Sequence, residues 1–190
     1  MSSTYETRPD DLPVPVDDGA ADHLPGSKIP SVELPATSGD RVNLAKLDGV
    51  LVLYAYPMTG QPGKPLPDGW DEIPGARGCT PQSCSFRDHM TELVNAGTDH
   101  VFGVSTQSTT YQSEAAERLH LPFALLSDSQ LSLSQAMNLP RFEADISGEN
   151  PILLKRLALI ANNGVIEMVF YPVFPPEQNA EDVLQYLNSR

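Results

Sequence analysis

The chain consists of short apolar runs separated by segments of helical periodicity. The longest apolar run, 50–56, contains only aliphatic residues, alanine and tyrosine, and predicts a central strand buried on both faces. Later in the chain, Asn162-Asn163-Gly164 lies between two apolar runs and predicts a tight hairpin turn. Further strands are predicted at 101–106, 123–128, 156–161 and 165–173.

Helical spacing predicts most of the remaining elements. Phe86, Met90 and Leu93 follow this spacing, and Gly97 is placed to end a helix that begins near Cys79. Other helices are predicted at 111–121, 131–139 and 176–190. Strands that alternate with helices, followed by an antiparallel hairpin and a last helix, predict an α/β fold. The best fit is a thioredoxin-like architecture, with a mixed central sheet and helices on both faces.

The N-terminal segment differs from the rest of the chain. Residues 1–27 are acidic and rich in proline, which predicts a flexible or loosely draped tail. The alternative is an arm that covers the body or a partner subunit. The thioredoxin-like domain is assigned to 28–190, and it begins with a short hairpin that turns at Ser38-Gly39-Asp40.

A long loop interrupts the predicted domain between its central strand and the helix that follows. Proline and glycine recur through 58–77, so neither a helix nor a strand ladder persists there. Trp70 and Ile73 nevertheless provide apolar anchors. The loop is therefore either an ordered cover beside a functional site or a surface insertion.

Charge and hydropathy exclude several classes of function. The chain has 25 acidic and 12 basic residues and a formal net charge of -13, which disfavours binding to nucleic acid or to an anionic membrane surface. No apolar run approaches the roughly 20 residues of a membrane span. The N-terminus has neither the basic start nor the apolar stretch of a secretory signal, so we expect a cytoplasmic protein.

Candidate chemistry is concentrated at the two cysteines, Cys79 and Cys84. Pro81 is tolerated in a helix only within its first turn, so Cys79 lies at or just before that turn, and Thr80 is a candidate cap. Unpaired N–H groups and the positive end of the helix dipole favour a thiolate there. Cys79 is therefore predicted to be the more nucleophilic sulfur.

The spacing of the pair has a structural consequence. Five residues of ideal helix separate two Cα atoms by roughly 9 Å, whereas a disulfide tolerates about 7 Å. A bond between Cys79 and Cys84 therefore requires the first helical turn to unwind. The alternative is that both cysteines are structural, buried as small apolar residues. No metal site is predicted, because the chain has no C-x-x-C pair and no ligand spacing at His23, His89, His100 or His120.

The segment GCTPQSCSFRD, residues 78–88, resembles the motif of the peroxiredoxins, especially the Q-type or bacterioferritin-comigratory thiol peroxidases. The resemblance extends through Tyr56-Pro57 and 155–173, and it covers roughly 28–190. The KRLALIANNG stretch is also similar to the type-five branch of the family. The resemblance implies a thiol-dependent peroxidase that reduces hydrogen peroxide and organic hydroperoxides and then forms an intramolecular disulfide.

The resemblance also implies roles for individual residues. Cys79 matches the peroxidatic cysteine, Cys84 the resolving cysteine and Arg156 the arginine that faces the reacting sulfur. Pro57 matches the proline that shields the site. Arg87 is a weaker candidate, expected instead to pair with a neighbouring acid on the helix face.

The chain departs from the motif before the first cysteine. Ala76 stands where the family has a threonine whose hydroxyl orients the peroxide. Thr80 or Thr59 could substitute for it, or Cys84 could be the attacking residue in a shifted alignment. The helix-start argument favours Cys79 independently.

The resemblance implies thioredoxin or a glutaredoxin-like protein as the reductant, no cofactor, and a monomer or homodimer. Two alternatives have the same fold. A thiol-disulfide exchange protein usually carries C-x-x-C, which this chain lacks. A thiol-based redox sensor would bind a partner through the acidic tail, and turnover with a reductant separates it from an enzyme.

Overall fold

The computed structural model describes residues 11–146 and 148–190. Its strands in chain order are β1 (Glu33–Pro35), β2 (Arg41–Asn43), β3 (Val50–Ala55), β4 (His100–Ser105), β5 (Leu125–Ser127), β6 (Arg141–Glu143), β7 (Ile152–Leu154), β8 (Leu157–Asn162) and β9 (Val165–Phe170). Its α-helices are α1 (Cys79–Asp88), α2 (Met90–Asn95), α3 (Thr109–Arg118), α4 (Ser132–Ala136) and α5 (Asn179–Ser189). Among the described helices, none is long and apolar enough to cross a bilayer.

The central sheet is mixed, as the sequence predicts. Across the described residues its strand order is β5-β4-β3-β8-β9. Strand β4 runs parallel to β3 and β5, whereas β8 is antiparallel to β3 and β9. The turn Asn163-Gly164 joins β8 to β9 with positive φ at both residues, which confirms the predicted hairpin.

Strand β3 separates two hydrophobic cores. Its side chains alternate in direction, so Leu51 and Leu53 enter one core while Val52 and Tyr54 enter the other. The first core is closed by the β1–β2 hairpin and by α4, and the second by α1, α2 and α5. Helices therefore cover both faces of the sheet, and the predicted fold class is confirmed.

Two local features differ from the predicted elements. The helix expected to run from Cys79 to Gly97 is divided into α1 and α2 at His89, whose ψ of 11° is not helical and whose Nδ1 lies 2.8 Å from the Ser85 carbonyl oxygen. The sequence pattern also gave no sign of β6 and β7. Each has three residues, too few for alternation to be recognised, and eight residues lie between the two strands.

The described part of the N-terminal segment packs against the body. Ala21 and Leu24 are 5% and 1% exposed and belong to the first core. Two apolar side chains of this acidic segment therefore occupy a buried site, and 11–27 is called the arm below. The part of the predicted tail at 1–10 lies outside the described residues, and the domain boundary at 28 stays a prediction.

An ion pair holds this arm near the end of β7. The carboxylate of Asp18 accepts hydrogen bonds from Lys155 Nζ at 2.6 Å and from the Tyr171 hydroxyl at 2.7 Å. These bonds, that of Lys155 first, hold the pKa of Asp18 below its ordinary value. Because the pKa of Asp18 is lowered on folding, its ionised carboxylate stabilises the folded state at pH values above the ordinary carboxyl range. This stabilisation is lost as the pH falls below that range.

The long loop at 58–77 is anchored by Trp70. This side chain is 2% exposed, and its ring centroid lies 6.5 Å from that of Phe142 on β6. Ala76 from the loop and Ala144 and Leu153 from the β6–β7 hairpin complete this small core. The hairpin that the sequence did not reveal is therefore the platform on which the loop rests.

We expect Leu24→Ala to lower the free energy of unfolding by about 2–4 kcal/mol, because it removes a buried side chain from the first core. Urea denaturation of the full chain measures the change. Val16→Ala is the control, because Val16 is 82% exposed, and it should change stability by no more than about 0.5 kcal/mol. Equal stabilities of the two variants would contradict the packing of the arm.

Candidate active site

Cys79 is the first residue of α1, as the sequence predicts. The preceding Gly78 has a φ of 104°, a left-handed conformation that favours glycine. A Cβ at Gly78 would lie 2.3 Å from Cγ of Pro176, so this glycine also permits close packing. The proposed cap at Thr80 is wrong: Gly78 occupies the cap position without a side-chain bond, and Thr80 lies inside the helix.

Arg156 lies beside the sulfur of Cys79. Its Nη2 is 3.2 Å from Cys79 Sγ, and both residues are 3% exposed. Nη1 donates to the side-chain oxygen of Gln82. The same Nη2 is 3.1–3.2 Å from three loop carbonyl oxygens, those of Gly75, Ala76 and Arg77. The guanidinium thus points inward from the junction of β7 and β8 and is not a surface charge.

The electrostatics of this position favour negative charge on sulfur. The N-terminus of α1 carries unpaired N–H groups and a partial positive charge. The guanidinium of Arg156 adds a full positive charge at hydrogen-bonding distance from the sulfur. Both act on Cys79, which is the sulfur that the sequence assigns to attack.

Cys84 lies on the same helix and is half-buried. Both cysteines are in the reduced thiol form, and because α1 runs without interruption between them, their Cα atoms are separated by roughly the 9 Å of an ideal helix. Arg87 donates to Asp88 at 2.8 Å and to the Leu119 carbonyl at 2.8 Å, so it pairs with a neighbouring acid as expected. This ion pair, and to a lesser extent Cys84, raises the pKa of Arg87.

A narrow cleft of about 10 Å³ opens beside Cys79. This volume holds roughly one water molecule. Its walls come mainly from the loop and from the start of α1: Met58, Gly60, Leu66, Trp70, Arg77, Gly78, Cys79 and Thr80. The loop is therefore a cover beside the cysteine, which was one of its two interpretations.

Thr80 and Thr59 are both candidates to replace the threonine that is missing at Ala76, and the structure places them differently. Thr80 is 3% exposed and lines the cleft beside Cys79. Thr59 is directed elsewhere: its hydroxyl lies 3.4 Å from Gln107 Oε1, and its carbonyl accepts a bond of 2.7 Å from Tyr111. Pro57, the predicted shielding residue, is buried two residues after the end of β3.

Two buried tyrosines, Tyr54 and Tyr56, lie beneath α1 on the side of the central sheet. The Tyr54 hydroxyl donates to Ser83 on α1 at 3.0 Å, and its ring stacks on Phe86 with centroids 4.5 Å apart. Burial, above all other causes, raises the pKa of Tyr54 and of Tyr56. Both phenols therefore stay protonated and serve as neutral groups beneath the helix.

Sequence reasoning missed Gln82 and Asn179. Each is 0% exposed, and Gln82 Nε2 donates to Asn179 Oδ1 at 2.9 Å. Gln82 lies within the segment 78–88 without a role in the resemblance, and Asn179 lies 97 positions further along the chain. No local signal links them. Within the described residues, no group of three His, Cys, Asp or Glu side chains is arranged to hold a metal.

Comparison with known proteins identifies similar chains. The family model described as Redoxin matches residues 24–184. The chain is 32% identical over 165 residues to the chloroplastic peroxiredoxin Q of Sedum lineare. This alignment covers 86% of this chain and 77% of that protein. Its fold is similar to that of peroxidoxin BcpB from Mycobacterium tuberculosis, at 24% identity, 87% and 97% coverage of the two chains and a TM-score of 0.68. Peroxiredoxin Q from Xanthomonas campestris matches at 21% identity, 95% and 98% coverage and a TM-score of 0.65.

Gly78→Ala should destabilise the chain more than Gly97→Ala. Both glycines have a positive φ, of 104° and 92°, so each substitution carries a strain of about 1–2 kcal/mol. An added Cβ clashes with Pro176 only at Gly78, whereas at Gly97 no described atom lies within 4 Å. The clash should add about 1 kcal/mol or more in urea denaturation. Equal losses in the two variants would rule out the tight contact at the start of α1.

Proposed function

Because the chain belongs to the redoxin family and to its peroxiredoxin Q group, and is a thiol-dependent peroxidase, we propose how Cys79, Cys84 and Arg156 carry out the reaction. The observation that supports these roles most strongly is the 3.2 Å contact between Arg156 Nη2 and Cys79 Sγ at the start of α1. It brings the predicted nucleophile and the predicted stabilising cation together from positions 77 residues apart.

In the first step the Cys79 thiolate attacks the terminal oxygen of a hydroperoxide. The O–O bond breaks, water or an alcohol leaves after taking up a proton, and the sulfur becomes a sulfenic acid. Arg156 stabilises the negative charge as it moves from the sulfur to the leaving oxygen. Thr80, which lines the cleft, is the hydroxyl available to orient the peroxide in place of the threonine that the chain lacks.

In the second step the thiol of Cys84 condenses with the sulfenic acid of Cys79. A disulfide forms and water is released, after the first turn of α1 has unwound. An external dithiol then reduces the disulfide, which restores both thiols. We propose thioredoxin or a glutaredoxin-like protein for this role, with the chain acting as a monomer or homodimer. The cytoplasmic location stays a prediction, and the plant relative at 32% identity is a chloroplastic protein.

Titration of the reduced protein with one equivalent of hydrogen peroxide tests the order of the cysteines. Intact mass and thiol counts should show a disulfide in wild type, a sulfenic acid that persists in Cys84→Ser, and no oxidation of Cys79→Ser. If the two variants exchange behaviour, Cys84 is the attacking residue. If wild type consumes both thiols but thioredoxin with its reductase sustains no turnover, the chain acts as a sensor and not as an enzyme with this reductant.

Arg156→Lys should slow the first step by about 100-fold, because an ammonium cannot reproduce the directed donors of the guanidinium. Stopped-flow mixing with hydrogen peroxide, under conditions of a single turnover, measures this step. Arg87→Lys is the matched control and should remain within about threefold of wild type, because Arg87 pairs with Asp88, whose side chain is 60% exposed. Equal rates for the two variants would remove Arg156 from the proposed reaction.

A further inference from the structure

Gln82 lies within the segment that must unwind for the two cysteines to meet. It is three residues after Cys79 and two before Cys84, and its side chain is fully buried. Both ends of its amide group are engaged. The oxygen accepts from Arg156 Nη1, and the nitrogen donates to Asn179 Oδ1 at 2.9 Å. Unwinding of the first turn of α1 has to break these buried bonds.

Asn179 is held by a rigid part of the fold. It is the first residue of α5, and Val183, Leu184 and Leu187 of that helix are buried in the second core. Unlike the start of α1, α5 carries no residue that the proposed reaction moves. The Gln82–Asn179 bond therefore connects the segment that moves to one that stays in place.

The segment just before α5 also touches the start of α1. Pro176 packs against Gly78 so closely that a Cβ at Gly78 would overlap it. The short stretch 176–179 thus contacts α1 at Gly78, before the peroxidatic sulfur, and at Gln82, one turn later. These two contacts flank Cys79 and keep its turn helical.

We propose that Gln82 and Asn179 form a latch that controls how readily the first turn of α1 unwinds. The proposal rests on the proposed function and deepens it. Neither residue touches the reacting atoms through this bond, so Asn179 is a positioning residue. The latch sets the fraction of time for which the turn is open. It thereby determines how much of the Cys79 sulfenic acid becomes a disulfide and how much becomes a sulfinic acid.

Both products follow from balanced steps. When the turn is open, the Cys84 thiol displaces the hydroxyl of the sulfenic acid, an S–S bond forms and water leaves. When the turn is closed, a second hydroperoxide transfers one oxygen to the sulfenic sulfur. The sulfur is then oxidised by two electrons to a sulfinic acid, and the peroxide is reduced to water or an alcohol. A tighter latch favours the sulfinic acid, and a looser one favours the disulfide.

Asn179→Leu tests the latch, because it keeps the size of the side chain and removes the acceptor for Gln82 Nε2. The rate of disulfide formation after a single equivalent of hydrogen peroxide should rise about three- to tenfold, the range expected from the net contribution of one buried hydrogen bond. At a large excess of peroxide, mass spectrometry should show a smaller sulfinic fraction than in wild type. Asn179→Ala serves the same purpose should the leucine variant fail to fold.

Asn188→Leu is the matched control, since it makes the same substitution at an exposed position of α5. It should leave both the rate of disulfide formation and the sulfinic fraction at wild-type values. If Asn179→Leu and Asn188→Leu form the disulfide at the same rate, the latch is overturned, even where Asn179→Leu lowers the overall stability.

A double-mutant cycle separates the latch from a general loss of packing. Gln82→Met removes the same bond from its other end, so adding Asn179→Leu to it should not accelerate disulfide formation further. Rates that multiply in the double variant would overturn the proposal. If wild-type Cys79 does not react with peroxide, the proposed function fails and the latch fails with it. If it reacts and Asn179→Leu leaves the division of products unchanged, the latch alone fails.

Discussion

The buried guanidinium of Arg156 is the constraint on which the rest of the site depends. A cation that is 3% exposed has lost most of its hydration and needs compensating groups nearby. Among the described residues, its hydrogen-bond partners are three loop carbonyls, the Gln82 amide oxygen and the Cys79 sulfur, and none is a carboxylate. The sulfur is the partner that can carry a full negative charge. A thiolate at Cys79, which the proposed reaction requires, would balance this buried positive charge.

The same guanidinium organises the backbone around the cysteine. Its bonds to the carbonyls at 75–77 fix the last residues of the loop just before α1 begins. The interior of the loop rests through Trp70 on the β6–β7 hairpin, which is joined to β8 by Lys155 and Arg156. The hairpin thus supports the cover of the cleft and also carries the arginine, so cover and cation are positioned by one element.

Local signals were sufficient for the framework and for the position of Cys79 at the start of α1. The unbroken apolar run of β3 predicted a doubly covered strand, Pro81 predicted the start of α1, and Asn163-Gly164 predicted the β8–β9 turn. Each of these depends on residues that are close in sequence. The inward direction of Arg156 could be inferred only from family resemblance, because strand alternation alone does not determine the face.

The rest depended on contacts between distant parts of the chain. Gln82 and Asn179 are ordinary polar residues until the fold pairs them across 97 positions. The acidic composition of the arm concealed the anchoring role of Leu24, because average composition says nothing about one buried side chain. Thr80 lies inside the helix because the cap residue is Gly78, one residue before Cys79, where the backbone is left-handed.

The tight cover over Cys79 has a consequence for chemical labelling. The cleft beside Cys79 is narrow, and Cys79 is only 3% exposed. Cys84, which is half-buried on the same helix, is less enclosed. Bulky alkylating reagents will therefore modify Cys84 before Cys79, although the proposed reaction makes Cys79 the attacking sulfur. The order of alkylation in this protein therefore ranks the exposure of its thiols and not their reactivity toward peroxide.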